Sequence, residues 1–332
     1  MVDLKPFISL LYQLIDLLKK HKTDNRIFEY NILKTMSTVF KIQQLTKFYG
    51  PIHALNNVSI DIPKGSIFGL LGPNGSGKTT MLGIVMNITI PTSGTVLFND
   101  KPLSADGRKK IGTLLETPNF YHYLSAYDNL KITATIKGIK NPDIDGVLKQ
   151  VNLYERRFSK FQTFSLGMKQ RLAIATCLLG DPEVMIFDEP TNGLDPVGIN
   201  EIRNLIKSLA KNGKTIVMAS HLLDEVEKVC THVAILKKGN LLVQGGINQI
   251  MNQDDMVELD ASDKDLLLKT VNLIPNFIKH EITESNTVMV YIEQGMVNTE
   301  SINRLCFNHG IILKKLTLKT ESLENIFIGL TS

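Results

Sequence analysis

The chain has 332 residues, of which 43% are hydrophobic and 21% are charged, and its formal net charge is +4 at pH 7. This length is enough for one large and one small domain, each with an apolar core. A net charge this slight, without blocks of like charge or a basic stripe interleaved with aromatic residues, argues against DNA or RNA as the main partner. The composition therefore indicates a soluble α/β protein that binds no nucleic acid.

Residues 1–35 precede every motif described below and are treated as an N-terminal extension. A predicted helix within residues 1–20 carries five apolar side chains on one face: Phe7, Leu10, Leu11, Leu14 and Leu18. This face could dock on a partner. The alternative is that translation naturally starts at Met36, immediately before a strand-like segment. The extension lacks the features of a secretion signal, and no run in the sequence reaches the roughly 18–20 apolar residues that cross a bilayer.

A phosphate-binding loop follows the apolar run Ile67–Leu71, which is predicted to be a buried strand. The loop fits the pattern G-x-x-x-x-G-K-[ST], and its residues are Gly72, Pro73, Asn74, Gly75, Ser76, Gly77, Lys78, Thr79 and Thr80. The glycines allow backbone N–H groups to converge on phosphates, Lys78 can reach the β and γ oxygens, and the Thr79 hydroxyl can ligate Mg²⁺. The segment predicts binding of a nucleoside triphosphate, and a glycine-rich turn without a ligand is the alternative.

Two carboxylates end a second apolar run. Residues 184–187 read as a central parallel strand, and Asp188 and Glu189 follow at its tip. In phosphoryl transfer a positioned carboxylate and a metal ion are sufficient, so Asp188 is predicted to hold Mg²⁺ through water and Glu189 to polarise the attacking water. The alternative role for such a pair is the N-cap of a helix.

Three more segments complete an ordered series of motifs: residues 164–171, 192–196 and 219–221. Together with the phosphate loop and the carboxylates, they resemble the ATP-binding-cassette family. The resemblance implies that Ser165 and Gly167, in the segment usually written L-S-G-G-Q, contact the γ-phosphate of ATP held by a second subunit. It also implies a nucleotide-binding role for Asp195 and a catalytic role for His221, which would sense the γ-phosphate and orient Glu189.

Two further residues take their expected roles from this resemblance. Tyr49 lies where the family places an aromatic side chain that stacks on adenine. Glu116 occupies the position of the family's usual glutamine, which touches Mg²⁺ and the attacking water, and a carboxylate there could still ligate the cation. In having glutamate at this position, the chain resembles bacterial cassettes of the bacitracin-resistance and lantibiotic self-protection type.

The family fold is an α/β P-loop cassette with a mixed, mainly parallel core sheet, an antiparallel β subdomain and a helical arm. Residues 36–245 are expected to form this ATPase domain, with the antiparallel strands at 40–45, 58–62 and 95–98, core strands ending at 71, 116, 188, 220 and 236, and the helical arm between 125 and 161. Residues 246–332 are expected to form a small α+β appendage. Its predicted strands are 256–259, 286–293 and 311–318, and its predicted helices are 262–273, 298–309 and 323–330.

The sequence therefore predicts the ATP-hydrolysing subunit of a bacterial transporter, peripheral on the cytoplasmic face of the plasma membrane and exporting antimicrobial peptides or drugs. Two copies would assemble with a separately encoded membrane permease, which would contact Phe120, Tyr121 and Tyr123, unless these side chains are buried against the cassette's own core. Cys177, Cys230 and Cys306 are expected to be buried thiols. A soluble cassette ATPase not coupled to transport and a P-loop kinase are the alternatives.

Overall fold

The computed structural model describes residues 37–115, 119–251, 254–319 and 322–331. The extension at residues 1–35 and the side chain of Glu116 lie outside the described residues. The described chain contains three sheets, of which two build the nucleotide-binding part and one belongs to the C-terminal segment.

The first sheet is antiparallel and has the strand order β2-β1-β4-β5. Its strands are β1 (Thr38–Tyr49), β2 (Ile52–Pro63), β4 (Ser93–Phe98) and β5 (Lys101–Pro102). Strands β1 and β2 extend well beyond the segments predicted for them. They are joined by a two-residue turn at Gly50 and Pro51, so that both strands continue to the turn although their ends are exposed.

The second sheet has the order β10-β9-β3-β8-β7-β6, in which the five strands from β9 to β6 run parallel and β10 pairs antiparallel with β9. Its strands are β3 (Ile67–Leu71), β6 (Ile111–Leu114), β7 (Val184–Asp188), β8 (Thr215–Ser220), β9 (His232–Lys237) and β10 (Asn240–Gly246). Strands β3, β7 and β8 are almost entirely buried, as expected of a parallel sheet covered on both faces. Their carboxyl ends meet at one edge of the sheet, where ligands bind in open α/β folds.

Helices and the antiparallel sheet enclose the core sheet. The helices of this part are α1 (Lys78–Val85), α2 (Ala105–Arg108), α3 (Ala126–Ile136), α4 (Ile144–Gln150), α5 (Leu166–Leu178), α6 (Pro196–Lys211), α7 (Leu223–Val229) and α8 (Ile247–Met251). One apolar cluster joins the core sheet to α3–α7, and a second joins it to the antiparallel sheet. The predicted P-loop cassette fold is confirmed.

The C-terminal segment forms an antiparallel sheet in the order β12-β13-β11-β14. Its elements are β11 (Asp255–Ala261), α9 (Lys264–Val271), β12 (Phe277–Ile282), β13 (Val288–Ile292), α10 (Thr299–Asn308), β14 (Leu313–Lys319) and α11 (Leu323–Thr331). Strand β12 was not predicted because it is an edge strand with mostly exposed side chains. Helix α11 packs on α7, and the Leu323 N–H donates to Glu227 Oε2 at 3.0 Å.

The three cysteines are free and buried, as expected. Burial raises the pKa of the Cys177 thiol to about 12 and raises the pKa of Cys230 as well. Within the described ranges, no helix is both long enough and apolar enough to cross a membrane.

Candidate active site

The phosphate loop joins β3 to α1, and two of its glycines are required by close backbone approaches. At Gly77 the φ angle is 106°, and an added Cβ would lie 2.5 Å from the carbonyl oxygen of Ala54. At Gly72 an added Cβ would lie 2.3 Å from the carbonyl oxygen of Leu236. The loop is thus held between β2 and β9 at distances that only glycine permits. Gly77 provides no side-chain cap for α1, so the free N–H groups of its first turn can bind an anion.

Lys78 lies inside the curve of the loop. Its ammonium group donates to the carbonyl oxygens of Gly72 at 2.6 Å and Pro73 at 3.2 Å, and the residue is only 6% exposed. Burial lowers the pKa of Lys78, whereas the charges of Glu189 and Asp188 oppose this shift. The lysine is therefore held at the centre of the loop, where its charge can pair with a phosphate.

Thr79 and Asp188 bring two oxygen ligands together. The Thr79 hydroxyl donates to Asp188 Oδ2 at 2.9 Å. Burial raises the pKa of Asp188, the hydrogen bond from Thr79 opposes the rise, and the nearby Glu189 charge adds to it. A hydroxyl and a carboxylate are hard donors of the kind that Mg²⁺ prefers.

Glu189 and His221 form a pair beside these ligands. The His221 Nδ1 atom lies 2.9 Å from Glu189 Oε2. Glu189 has a φ of 48°, in the left-handed region that costs a residue with a side chain about 1–2 kcal/mol. Its N–H donates to the Ala219 carbonyl at 3.0 Å, which anchors the turn after β7 to the end of β8. The turn thus aims the Glu189 carboxylate at the residue that follows β8.

A cleft of about 380 Å³ is lined by Tyr49, Ile52, His53, Ala54, Asn74, Gly75, Ser76, Gly77, Lys78, Thr79, Thr80, Asp188 and Glu189. His221 is not among the lining residues and reaches the cleft only through its contact with Glu189. The Ser76 hydroxyl is buried at the loop and has no hydrogen-bond partner in the described parts of the chain. An unpartnered buried hydroxyl beside free N–H groups is costly unless a polar ligand satisfies it. The cleft therefore fits a nucleoside triphosphate with Mg²⁺.

The hairpin between β1 and β2 forms the outer wall of the cleft. Tyr49 is 45% exposed there, with the Lys47 ammonium 4.8 Å from its ring centroid. The ring of Phe48 stacks on His53 with a centroid distance of 3.9 Å. The sequence analysis missed Ile52, His53 and Ala54 as lining residues, because only the short hairpin that follows Tyr49 brings them to the loop.

Ser165, Gly167 and Asp195 do not line this cleft. The Ser165 hydroxyl caps α5 by accepting from the Met168 N–H at 3.3 Å, and the Asp195 carboxylate caps α6 by accepting from the Gly198 N–H at 2.8 Å. The start of α5 nevertheless lies beside the start of α6, since a Cβ on Gly167 would lie 3.9 Å from the Gly198 Cα. The structure brings these three residues to one surface of the subunit.

Comparisons with known proteins agree with this geometry. Residues 55–192 match the family described as ABC transporter. Bacitracin transport ATP-binding protein BcrA of Enterococcus faecalis is 35% identical over 298 residues, which cover 88% of this chain and 96% of the relative. Lantibiotic transport ATP-binding protein SrtF of Streptococcus pyogenes is 42% identical over 206 residues, which cover 62% of this chain and 90% of the relative.

Two solved structures extend the comparison to the fold. The structure of cbiO1 from Clostridium perfringens, part of the ABC transporter complex cbiONQ, has a TM-score of 0.60 at 30% identity and covers 72% of this chain and 96% of its own. A dimeric ATP-binding cassette in a post-hydrolysis state, bound to ADP and Pi, has a TM-score of 0.55 at 29% identity and covers 63% of this chain and 98% of its own. The chain therefore belongs to the ABC transporter family, as an ATP-binding and ATP-hydrolysing subunit.

Proposed function

We propose that this subunit powers the export of antimicrobial peptides, with bacitracin-like cyclic peptides and lantibiotics as the substrate class. The observation that carries the proposal is the extent of the similarity to the bacitracin transport protein, which covers 96% of that relative. The matched length of 298 residues is far greater than the 138 residues of the family match from 55 to 192, so it continues past the cassette into the C-terminal segment. We accordingly assign residues 36–245 to the ATPase domain and residues 246–332 to an accessory domain.

The chain's own residues divide the work of hydrolysis. Lys78 and the N–H groups of the phosphate loop bind and orient the triphosphate, while Thr79 and Asp188 would hold Mg²⁺. When bound, the cation supplies charge neutralisation at the phosphoryl oxygens. Glu189 accepts a hydrogen bond from the attacking water and aligns it, and His221 holds the Glu189 carboxylate in place through the 2.9 Å contact. The Tyr49 ring would stack on the adenine at the mouth of the cleft.

A second copy of the subunit completes each site. Ser165, Gly167 and Asp195 share one surface, and the neighbouring apolar side chains of Leu166 and Val197 are 55% and 69% exposed. Exposed apolar side chains around a helix N-terminus suit an interface that receives an anion. This surface would close over the phosphates held by the partner copy and open again after hydrolysis.

The membrane permease would contact an aromatic patch formed by Tyr121, Tyr123 and Phe158, which are 49%, 65% and 70% exposed. The segment of residues 126–127, which follows Tyr123 closely in sequence, hydrogen-bonds to that of residues 157–159, so Phe158 lies on a segment that neighbours the one carrying the two tyrosines. Phe120, which the sequence analysis included in the contact, is 7% exposed, and its ring lies 4.8 Å from Phe161 in the core. Phe120 is therefore a core residue and does not belong to the exposed patch.

Gene deletion tests the proposed substrate class. Deleting the gene in its native bacterium should lower the inhibitory concentrations of bacitracin-like peptides and lantibiotics, and should leave those of antibiotics with intracellular targets unchanged. Wild-type protein should restore resistance, whereas the hydrolysis-deficient Glu189→Gln variant should not. Unchanged peptide sensitivity in the deletion strain would contradict peptide export, and restoration by Glu189→Gln would contradict its dependence on hydrolysis.

A further inference from the structure

Helix α7 begins two residues after His221 and spans only seven residues, Leu223–Val229. Its N-cap residue, Leu222, gives it no side-chain hydrogen bond. A helix this short, without a cap, gains little stability from its own backbone and depends on tertiary contacts for its position. Whatever holds α7 therefore also limits the movement of the turn that carries His221.

A buried ion pair holds α7 against α6. The Arg203 guanidinium donates through one terminal nitrogen to Glu225 Oε1 and Oε2, each at 2.8 Å, and through Nε to Oε2 at 3.3 Å. The two side chains are only 19% and 12% exposed. Such a forked contact fixes the direction of both planes, which a single contact from an ammonium group cannot do.

The pair connects helix α6, which begins after Asp195, to helix α7, which begins two residues after His221. Helix α6 is a 16-residue helix whose N-cap is Asp195, and its apolar face is buried through Ile202, Leu205, Ile206 and Leu209. It forms a rigid base for Arg203. Glu225 lies in the first turn of α7, four residues after His221. The guanidinium thus links the well-anchored helix α6 to the turn that presents the imidazole to Glu189.

We infer that Arg203 and Glu225 are positioning residues for hydrolysis, which hold α7 so that His221 stays within hydrogen-bond distance of Glu189. This inference rests on the role proposed above for His221. A buried ion pair is weak evidence for added stability, because the loss of hydration offsets much of the attraction between the charges. Its directional geometry, however, fixes α7 relative to α6 and thereby keeps His221 close to Glu189.

The test compares kcat and KM for ATP in the purified full chain. Arg203→Lys keeps the charge but loses the fork, so kcat should fall about tenfold or more, while KM should change less than about twofold because the phosphate loop is untouched. The double variant Arg203→Met/Glu225→Leu replaces the pair with apolar side chains that preserve folding. It should show the same loss of kcat at an unchanged melting temperature.

Lys228→Met is the matched control. It removes an exposed ion pair with Asp224, at 2.6 Å, from the same helix, and should keep the parental kcat. Parental kcat in Arg203→Lys, or in the double variant, would overturn the inference, as would an equal loss in the Lys228 control. His221→Ala tests the underlying role separately. If that variant is fully active, the role of His221 is wrong, whereas an inactive His221→Ala with a fully active Arg203→Lys would overturn only the positioning inference.

Discussion

His221 Nδ1 and Glu189 Oε2 lie 2.9 Å apart, at the ends of the adjacent parallel strands β8 and β7. The Thr79 hydroxyl contacts Asp188, the residue before Glu189, on the side of the phosphate loop. The proposed phosphate-binding loop therefore comes from a different segment of the chain than the proposed hydrolytic pair, Glu189 and His221. Substitutions can separate the two functions.

Lys78→Ala should weaken ATP binding about ten- to hundredfold, because a charge-assisted hydrogen bond contributes about 1.5–3 kcal/mol. A nucleotide titration with the purified chain measures this change. Lys101→Ala, which removes an exposed lysine from β5, serves as the control and should bind normally. Normal affinity in Lys78→Ala would contradict the assigned phosphate site.

Gly77→Ala should destabilise the protein more than Gly75→Ala. Both glycines have positive φ angles, 106° and 79°, so both substitutions carry the cost of a left-handed conformation. Only the Cβ at residue 77 would collide with backbone, whereas nothing lies within 4 Å of a Cβ at residue 75. Urea unfolding measures the two free energies, and equal losses would show that the loop can move away from Ala54.

Tyr123→Asp should reduce recovery of the subunit with membranes that contain its permease, and should leave ATP binding by the isolated chain intact. Ile136→Asp is the matched control, since Ile136 is 81% exposed on α3 but lies outside the aromatic patch. Phe120→Asp should instead lower the melting temperature, because it places a charge in the core. Normal membrane recovery of Tyr123→Asp would contradict the assigned contact.

Glu258 should make the stability of the C-terminal segment pH-dependent. Hydrogen bonds from Lys315 and Thr287 lower its pKa to about 2, against an ordinary value of 4.5. A lowered folded-state pKa contributes stability that is fully present above the unfolded pKa and is lost as the pH falls through the folded pKa. Glu258→Gln should thus lower the free energy of unfolding at pH 7. The difference from the parent should shrink as the pH falls from about 4.5 towards 2, and a constant difference would contradict the assignment.

Features that depend on contiguous residues could be predicted from the sequence, whereas features that depend on tertiary packing could not. The phosphate loop and the Asp188–Glu189 pair are contiguous motifs beside buried strands, so the fold and the cleft could be predicted from them. The burial of Phe120, the edge strand β12 and the packing of α11 on α7 depend on partners distant in sequence. The capping contacts of Ser165 and Asp195 show their position within one subunit, and their roles across an interface stay predictions, as does the role of Glu116.

The Glu189→Gln variant tests the central claim most directly, in one experiment that follows ATP binding, phosphate release and oligomeric state with Mg²⁺ and ATP. The claim is that Glu189 aligns water for hydrolysis in a site shared by two copies of the chain. The variant should bind ATP with parental affinity, release phosphate at least about a hundredfold more slowly, and accumulate as an ATP-bound dimer. Parental phosphate release, or a variant that stays monomeric with ATP bound, would contradict the account.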